Sequence, residues 1–491
     1  MWKEMLQKHL SVNPFFASFV LGHLAAYGMG PTYFWIILLM CLSFYWVVFT
    51  KFATEKPWKS FLSGFLFGFG FFVSSLYWIG NALLIGGNEF KWAYPLAVCG
   101  LPLLLALFPM LGLGLTRLIA KGRSFKSFIV FVVMLFLSEY ARGHLFTGFP
   151  WNLFGMTWTN NIAMLQILSI GGIYLLSFLT IFLFTIPAFV LKGAEQKSMR
   201  GLLGGFAIFL GIGLYIFGTD RLSNNPTTYN PDVVIQMIQP NISQEDKWNG
   251  YKRWDNFRET VQLIEPVDEW PKAKTRVIVM PETTLTYHDF QIEQAMDNLR
   301  GRLSGYSEEN IYLLSGALLL DDAGYHNSLV VFDRDMNFLE SFDKFHLVPF
   351  GEYIPFQKYI PLKTITQFSG FVEGDGPHTL THPHLPPFSP LICYEVIFPS
   401  HVTANPRPEW MVNVTNDAWY GVSAGPFQHL AHAQYRSIEE GLPMVRVAQT
   451  GISAIIDSYG RIVNASGLNG EANLESQLPS PAPETVYKRY F

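Results

Sequence analysis

The stretch 201–241, GLLGGFAIFLGIGLYIFGTDRLSNNPTTYNPDVVIQMIQPN, contains the change of texture on which the fold turns. Up to Gly218 it is apolar and uncharged, as a helix crossing a hydrocarbon layer of about 30 Å must be. Residues 219–230 form a polar linker, and Val233 opens a short apolar run, VVIQMIQ, closed by Pro240 and Asn241. A short run bounded by turn residues is the pattern of a buried strand. The two sides belong to different classes and have to be read separately.

The charge count separates them further. Residues 1–218 hold 14 Lys and Arg against 5 Asp and Glu, a net of +9; residues 219–491 hold 20 against 33, a net of −13. The formal charge of −4 and the charged fraction of 15% are averages over these unlike halves. A single soluble domain is excluded, and so is a plain transporter or channel. A hydrophobic content of 50% excludes a disordered chain.

Seven apolar runs, at about 12–29, 31–50, 60–80, 93–115, 127–145, 162–190 and 201–218, predict a membrane domain of seven helices over 1–218. The third run, SFLSGFLFGFGFFVSSLYWIG, is rich in Gly and Phe, which in lipid permits close helix packing. Twelve Lys and Arg, among them Lys3, Lys51, Arg117 and Lys192, fall on one side of the alternation, and only Lys91 and Arg142 on the other. Positive charge marks the cytoplasmic side. The N-terminus is therefore expected in the cytoplasm, as a retained anchor rather than a cleaved signal, and the acidic half on the opposite face. Glu139 and Arg142 bracket the outer end of the fifth run, either as a functional pair or as a local interfacial ion pair.

Beyond the linker, apolar runs recur at 276–282, 311–320, 327–335, 389–397, 410–417 and 445–460, with helical patterns at about 249–265, 289–304 and 425–441. Strands buried on both faces with helices between them predict a layered α/β domain over 231–475, followed by a tail at 476–491. The segment 354–376 is aromatic and proline-punctuated, so it reads as a long loop, either a lid or a flap packed over the core.

Three residues at the ends of separate runs carry chemistry. Of three cysteines, Cys41 and Cys99 lie in the membrane runs, which leaves Cys393 alone in the second half. A lone thiol there is either buried and inert or chemically employed. Cys393 stands near the end of SPLICYEVIFP, with Glu395 two residues on. Glu282 ends RVIVMPE and is a candidate base; Lys344 in FDKFHLVPFGEYIP, with Glu352 eight residues later, is a candidate for lowering a thiol pKa or holding an oxyanion. Reactive groups favour such strand ends in α/β sheets.

PETT, DKFHLVPFGEYIP and ICYE, in that order, resemble the nitrilase superfamily with its Glu/Lys/Cys triad. Joined to a multi-span region containing SEYARGHLFTGFPWN, they resemble the apolipoprotein N-acyltransferase family across nearly the whole chain. The resemblance implies an α-β-β-α sandwich, with Cys393 as nucleophile, Glu282 as general base and Lys344 as oxyanion stabiliser. It implies supporting roles for Glu352, Tyr394, Glu395 and Asn327, and a substrate contact for Trp248. The implied substrates are a membrane phospholipid as acyl donor and a diacylglyceryl apolipoprotein as acceptor, joined through a thioester on Cys393. The implied location is the bacterial inner membrane, with the catalytic domain in the periplasm. No cofactor, metal or nucleic acid is expected. The family's further C-terminal membrane helix has no matching apolar run, so the chain is expected either to be truncated or to have seven spans.

Three rival readings compete on the same residues. A tethered amidase or nitrile hydrolase would use the same triad with water, and would need neither seven spans nor an apolar lid. A transporter with a sensing domain would need paired intramembrane charges beyond Glu139 and Arg142. A metal enzyme would draw on His378, His382 and His384, or on His429 and His432, but the first set lies in a proline-rich turn and the second on a helix whose neighbours suggest packing.

Overall fold

A computed structural model describes residues 13–86, 90–247, 249–267, 270, 273–353 and 370–491. The chain divides into two compact units. One comprises 1–80, 93–167 and 171–221; the other comprises 222–491 together with 81–92 and 168–170. Two short pieces of the N-terminal half thus belong to the second unit.

Helices of the first unit fall in each of the seven apolar runs. They are α1 (Pro14–Ala25), α2 (Trp35–Thr50), α3 (Trp58–Ser75), α4 (Tyr94–Leu105) continued by α5 (Leu107–Ile119), α6 (Phe125–His144), α7 (Leu168–Lys192) and α8 (Lys197–Ser223). Their lengths differ more than the runs suggest. Among the described residues three stretches, Lys91–Ile119, Leu168–Lys192 and Lys197–Ser223, are long and apolar enough to cross a membrane. A fourth qualifies if α3 and the turn Tyr77–Leu84, bent by 47°, form one span. At 16 residues α2 reaches only about 24 Å. The glycine-rich reading of α3 has a structural counterpart, since a Cβ on Gly70 of α3 would stand 2.3 Å from the Phe19 carbonyl oxygen of α1.

Glu139 and Arg142 are both buried, and each is satisfied by the chain that follows α6. Glu139 Oε1 accepts from Phe154 N at 2.8 Å and Oε2 from the Ser177 hydroxyl; Arg142 Nη1 donates to the carbonyls of Phe149 and Trp151, each at 2.6 Å. The two side chains fasten the 149–154 segment.

The second unit contains two six-stranded sheets. The first has β1 (Tyr229–Gln239), β2 (Thr275–Thr286), β3 (Asn310–Leu320), β4 (Tyr325–Asp333), β5 (Phe338–Asp343) and, from the chain end, β12 (Ala472–Pro479) in the order β12-β1-β2-β3-β4-β5. The second has β6 (Leu380–His382), β7 (Leu385–Ile392), β8 (Trp410–Thr415), β9 (Met444–Ala448), β10 (Ala454–Ile456) and β11 (Ile462–Ala465) in the order β11-β10-β9-β8-β7-β6. At the centre of each, three strands run parallel: β1, β2 and β3 in one, β7, β8 and β9 in the other.

Strand periodicity builds the layers. Val277 and Val279 of β2 join Val412, Val414, Val445 and Val447 in one core cluster between the sheets. Ile278 and Met280, on the opposite face of β2, join a second cluster with Phe257 and Val261 of α9 (Arg253–Gln262) and Leu299 and Leu303 of α10 (Glu293–Leu303). The helix α11 (Ala424–Glu440) packs on β9 and β10. The result is an α-β-β-α sandwich whose valine-rich strands are covered on both faces.

Candidate active site

Glu282 lies in the C-terminal part of parallel strand β2, and Thr283 after it has a φ of 49°. A neighbouring strand leaves room for this bend because it carries a glycine: a Cβ on Gly316 would meet Glu282 Cα at 2.4 Å. Cys393 follows β7 directly. The sequence predicts that this strand runs on to Ile397, but the backbone turns at Cys393, with a φ of 53°, into a 3-10 turn spanning Cys393–Ile397. The correction concerns chemistry as well as shape, because a sharp turn lifts the candidate nucleophile out of the sheet instead of leaving it within a strand.

Lys344 follows β5, and its N–H donates to the Asn327 carbonyl of β4 at 2.8 Å. Its ammonium lies 2.8 Å from Glu352 Oε1 and 3.6 Å from Glu282 Oε1. Asn327 Nδ2 donates to both carboxylates, at 2.8 Å to Glu282 and 3.1 Å to Glu352, while Glu352 Oε2 accepts from Val348 N at 2.8 Å. Glu395 Oε1 accepts from Phe345 N at 2.7 Å and His346 N at 3.1 Å, and its Oε2 from Ile392 N at 2.7 Å. It therefore ties the cysteine turn to the residues next to Lys344. Tyr394 lies in the same turn. Trp248 and residues 354–369 of the predicted loop lie outside the described residues.

The group is almost dry, with Lys344 at 1% exposure and Cys393 at 8%. Burial pushes the Cys393 thiol well up, and the charges of Glu282 and Asp417 push further, against Lys344 and Thr415. Burial works against the Lys344 ammonium, yet Glu352, Glu282 and Cys393 together hold it above the usual lysine value. The resting pair is thus a thiol and a fixed cation, and an attacking thiolate needs a base beside it.

The chemistry that these groups support is nucleophilic acyl transfer, and the sequence comparisons agree with it. Residues 21–186 match the family model of the apolipoprotein N-acyltransferase N-terminal domain, and residues 234–480 match that of carbon-nitrogen hydrolases. An apolipoprotein N-acyltransferase of Rhodopseudomonas palustris is 36% identical over 487 residues, which cover 95% of this chain and 90% of that protein. The chain belongs to the apolipoprotein N-acyltransferase family. An apolipoprotein N-acyltransferase of Rickettsia prowazekii is 35% identical, covering 96% of this chain and 93% of the relative. Saccharomyces cerevisiae Nit3, a member of the nitrilase superfamily, aligns over 52% of this chain and 91% of its own at 18% identity and a TM-score of 0.38. As a member of the apolipoprotein N-acyltransferase family the chain is an acyltransferase, a membrane enzyme with a nitrilase-superfamily domain.

Sequence reasoning passed over two features of the site. Lys247, at the end of the short helix Gln244–Lys247, donates to the Glu282 carbonyl at 2.8 Å. It lines a cavity of about 230 Å³ with Arg253, Thr283, Thr284 and Gln449. Its position directly after two acidic residues in SQEDKW reads as a solvated face, and nothing in the pattern signals it. The second feature is a polar network behind Cys393 made by Asn413, Asp417, His429 and Arg446, all essentially without solvent exposure. An arginine inside the apolar run VRVAQ was the available signal, since a buried guanidinium requires acceptors.

Proposed function

We propose that this chain transfers an acyl chain from a membrane phospholipid to the N-terminal amine of a diacylglyceryl-cysteine apolipoprotein, by way of a thioester on Cys393. The observation that carries the reading is the cluster itself: a cysteine at a left-handed turn that Glu395 ties to the residues next to Lys344, whose ammonium lies against two carboxylates, Glu282 and Glu352, joined by Asn327.

Glu282 takes the thiol proton as the Cys393 sulfur attacks the ester carbonyl. The tetrahedral oxyanion is met by the Lys344 ammonium and the N–H of Tyr394. Collapse breaks the ester C–O bond, the leaving alkoxide takes the proton from Glu282, and lysophospholipid departs. The acceptor amine then attacks the thioester, Glu282 accepts its proton and returns it to the departing Cys393 sulfur as the C–S bond breaks, leaving an amide and the thiol. Glu352 and Asn327 orient the charged pair, Glu395 holds the turn, Tyr394 supplies the backbone donor, and Trp248 is assigned a contact with substrate.

The charge asymmetry of the N-terminal half supports a catalytic unit outside the cytoplasm, on the periplasmic face of a bacterial inner membrane. Purified full-length protein exposed to phosphatidylethanolamine in detergent is expected to gain the mass of one acyl chain, and Cys393→Ser is expected to gain none. An unmodified wild type that remains active would overturn the mechanism. A reporter fused after residue 225 is expected to be active only outside the cytoplasm.

A further inference from the structure

Behind the nucleophile, four side chains and one backbone carbonyl close a ring. The Cys393 carbonyl faces His429 Nε2 at 3.2 Å and Asn413 Nδ2 at 3.4 Å. His429 Nδ1 lies 2.8 Å from Asp417 Oδ1, Asp417 Oδ2 accepts from Arg446 Nη2 at 2.7 Å, and Arg446 Nη1 donates to Asn413 Oδ1 at 2.5 Å. The circuit then returns to Cys393. The four side chains come from β8, the turn after it, α11 and β9, and none of these residues is more than 1% exposed.

Donor and acceptor roles in the ring are largely forced. A guanidinium only donates, so the Asn413 oxygen faces Arg446 and its NH₂ faces Cys393. A carbonyl only accepts, so His429 carries a proton on Nε2 whatever the state of Nδ1. Thr415 Oγ1 donates to Asp417 Oδ1 at 3.0 Å and braces the carboxylate.

A buried circuit of this kind is costly unless every member is satisfied. Cys393 gives it a purpose. A non-glycine residue at a φ of 53° is strained and persists only where its surroundings over-determine it. Two donors on the Cys393 oxygen also fix more than Cys393. The carbonyl of Cys393 and the N–H of Tyr394 belong to one planar trans peptide and point in opposite directions. Holding the oxygen therefore aims the N–H.

We propose that Asn413, Asp417, His429 and Arg446 form a positioning ring that orients the Cys393–Tyr394 peptide so that its N–H serves as an oxyanion donor. The inference rests on the acyl-transfer reading above. The residues act through the peptide and do not touch substrate.

The test compares two reactions of the same thiol. Acylation by an ester passes through an oxyanion, whereas alkylation by iodoacetamide does not. In full-length protein in detergent, His429→Asn removes the Nε2 donor and is expected to slow acylation of Cys393 about 10–100-fold, in line with a misplaced oxyanion donor. Alkylation is expected to stay within about 3-fold of wild type, since no oxyanion donor takes part in it. His429→Gln, whose amide nitrogen reaches the Nε2 position, is expected to recover most of the acylation rate. Equal loss of both reactions, or no loss of either, would overturn the ring's role, and so would failure of Gln to outperform Asn. If His429→Asn does not fold, Arg446→Lys, which can hold Asp417 or Asn413 but not both, is judged by the same split. A p-nitrophenyl ester run beside the phospholipid separates the two claims: wild type acylated by the ester but never by phospholipid would sink the donor assignment while leaving the ring testable.

Discussion

Asn327 Nδ2 donates to Glu282 Oε1 at 2.8 Å and, with its second hydrogen, to Glu352 Oε1 at 3.1 Å. Two carboxylates this close repel each other, and the amide and the Lys344 ammonium are what hold them together. Asn327→Asp replaces the shared donor with a third carboxylate. Thioester formation on Cys393 is expected to fall by at least about 10-fold, within the range that general-base catalysis contributes. A rate of acyl-adduct formation equal to wild type would mean that the clasp is idle.

Lys247 offers a prediction with a pH signature. Burial pushes its ammonium down to about 8, while Glu282 and Cys393 pull it upward. Below about pH 8 the charge is present and favours both the carboxylate and the developing thiolate; as pH rises through 8 that support disappears. The wild-type acylation rate is expected to bend downward above about 8, and Lys247→Met is expected to be slower at neutral pH but without that bend. Initial rates measured from pH 6 to 9.5 decide it, and an unchanged alkaline limb in the variant would exclude Lys247 as its source.

A pair of glycines separates close approach from mere flexibility. Gly316→Ala would drive a Cβ into the backbone at Glu282, where no side chain can yield, so a loss of about 1–3 kcal/mol is expected together with a displaced base. Gly301→Ala, in α10 with nothing within 4 Å of the added carbon, is expected to stabilise by about 0.5–1 kcal/mol. Thermal unfolding of the full chain in detergent reads both, and the two shifts should have opposite signs.

The sequence exposed those parts of this architecture that are written as uninterrupted apolar runs. β2, β3 and β8 are buried on both faces, so their valines and leucines stand out, and Glu282 marks the end of one such run. β12, ANLESQLP, was folded into the end of the domain and the tail, because its Glu475 is buried against Arg276 at 2.5 Å and breaks the apolar signature. The left-handed turn at Cys393 carries no glycine to announce it. The ring is invisible for another reason: Arg446 meets Asn413 across 33 residues and Asp417 across 29, and contacts between strands and a covering helix leave no local period. Each member of the proposed triad falls in a short motif, whereas the ring is assembled from residues with no shared motif.

Glu395 binds the two halves of the site through hydrogen bonds that it can only accept. Its Oε1 takes the N–H groups of Phe345 and His346, next to Lys344, and its Oε2 takes that of Ile392, next to Cys393. All three partners are donors, and the side chain has no solvent exposure. Glu395→Gln is nearly the same size, but its NH₂ must face at least one backbone N–H, which sets donor against donor in a dry site. Leaving a buried donor unmet costs about 1–3 kcal/mol. The variant is therefore expected to unfold at lower temperature and to acylate more slowly. Glu395→Asp keeps the carboxyl group but is one methylene too short to reach both segments, so it should retain the fold better than it retains the rate. If Gln matched wild type in both melting and acylation, the three N–H contacts would not be what joins Lys344 to Cys393.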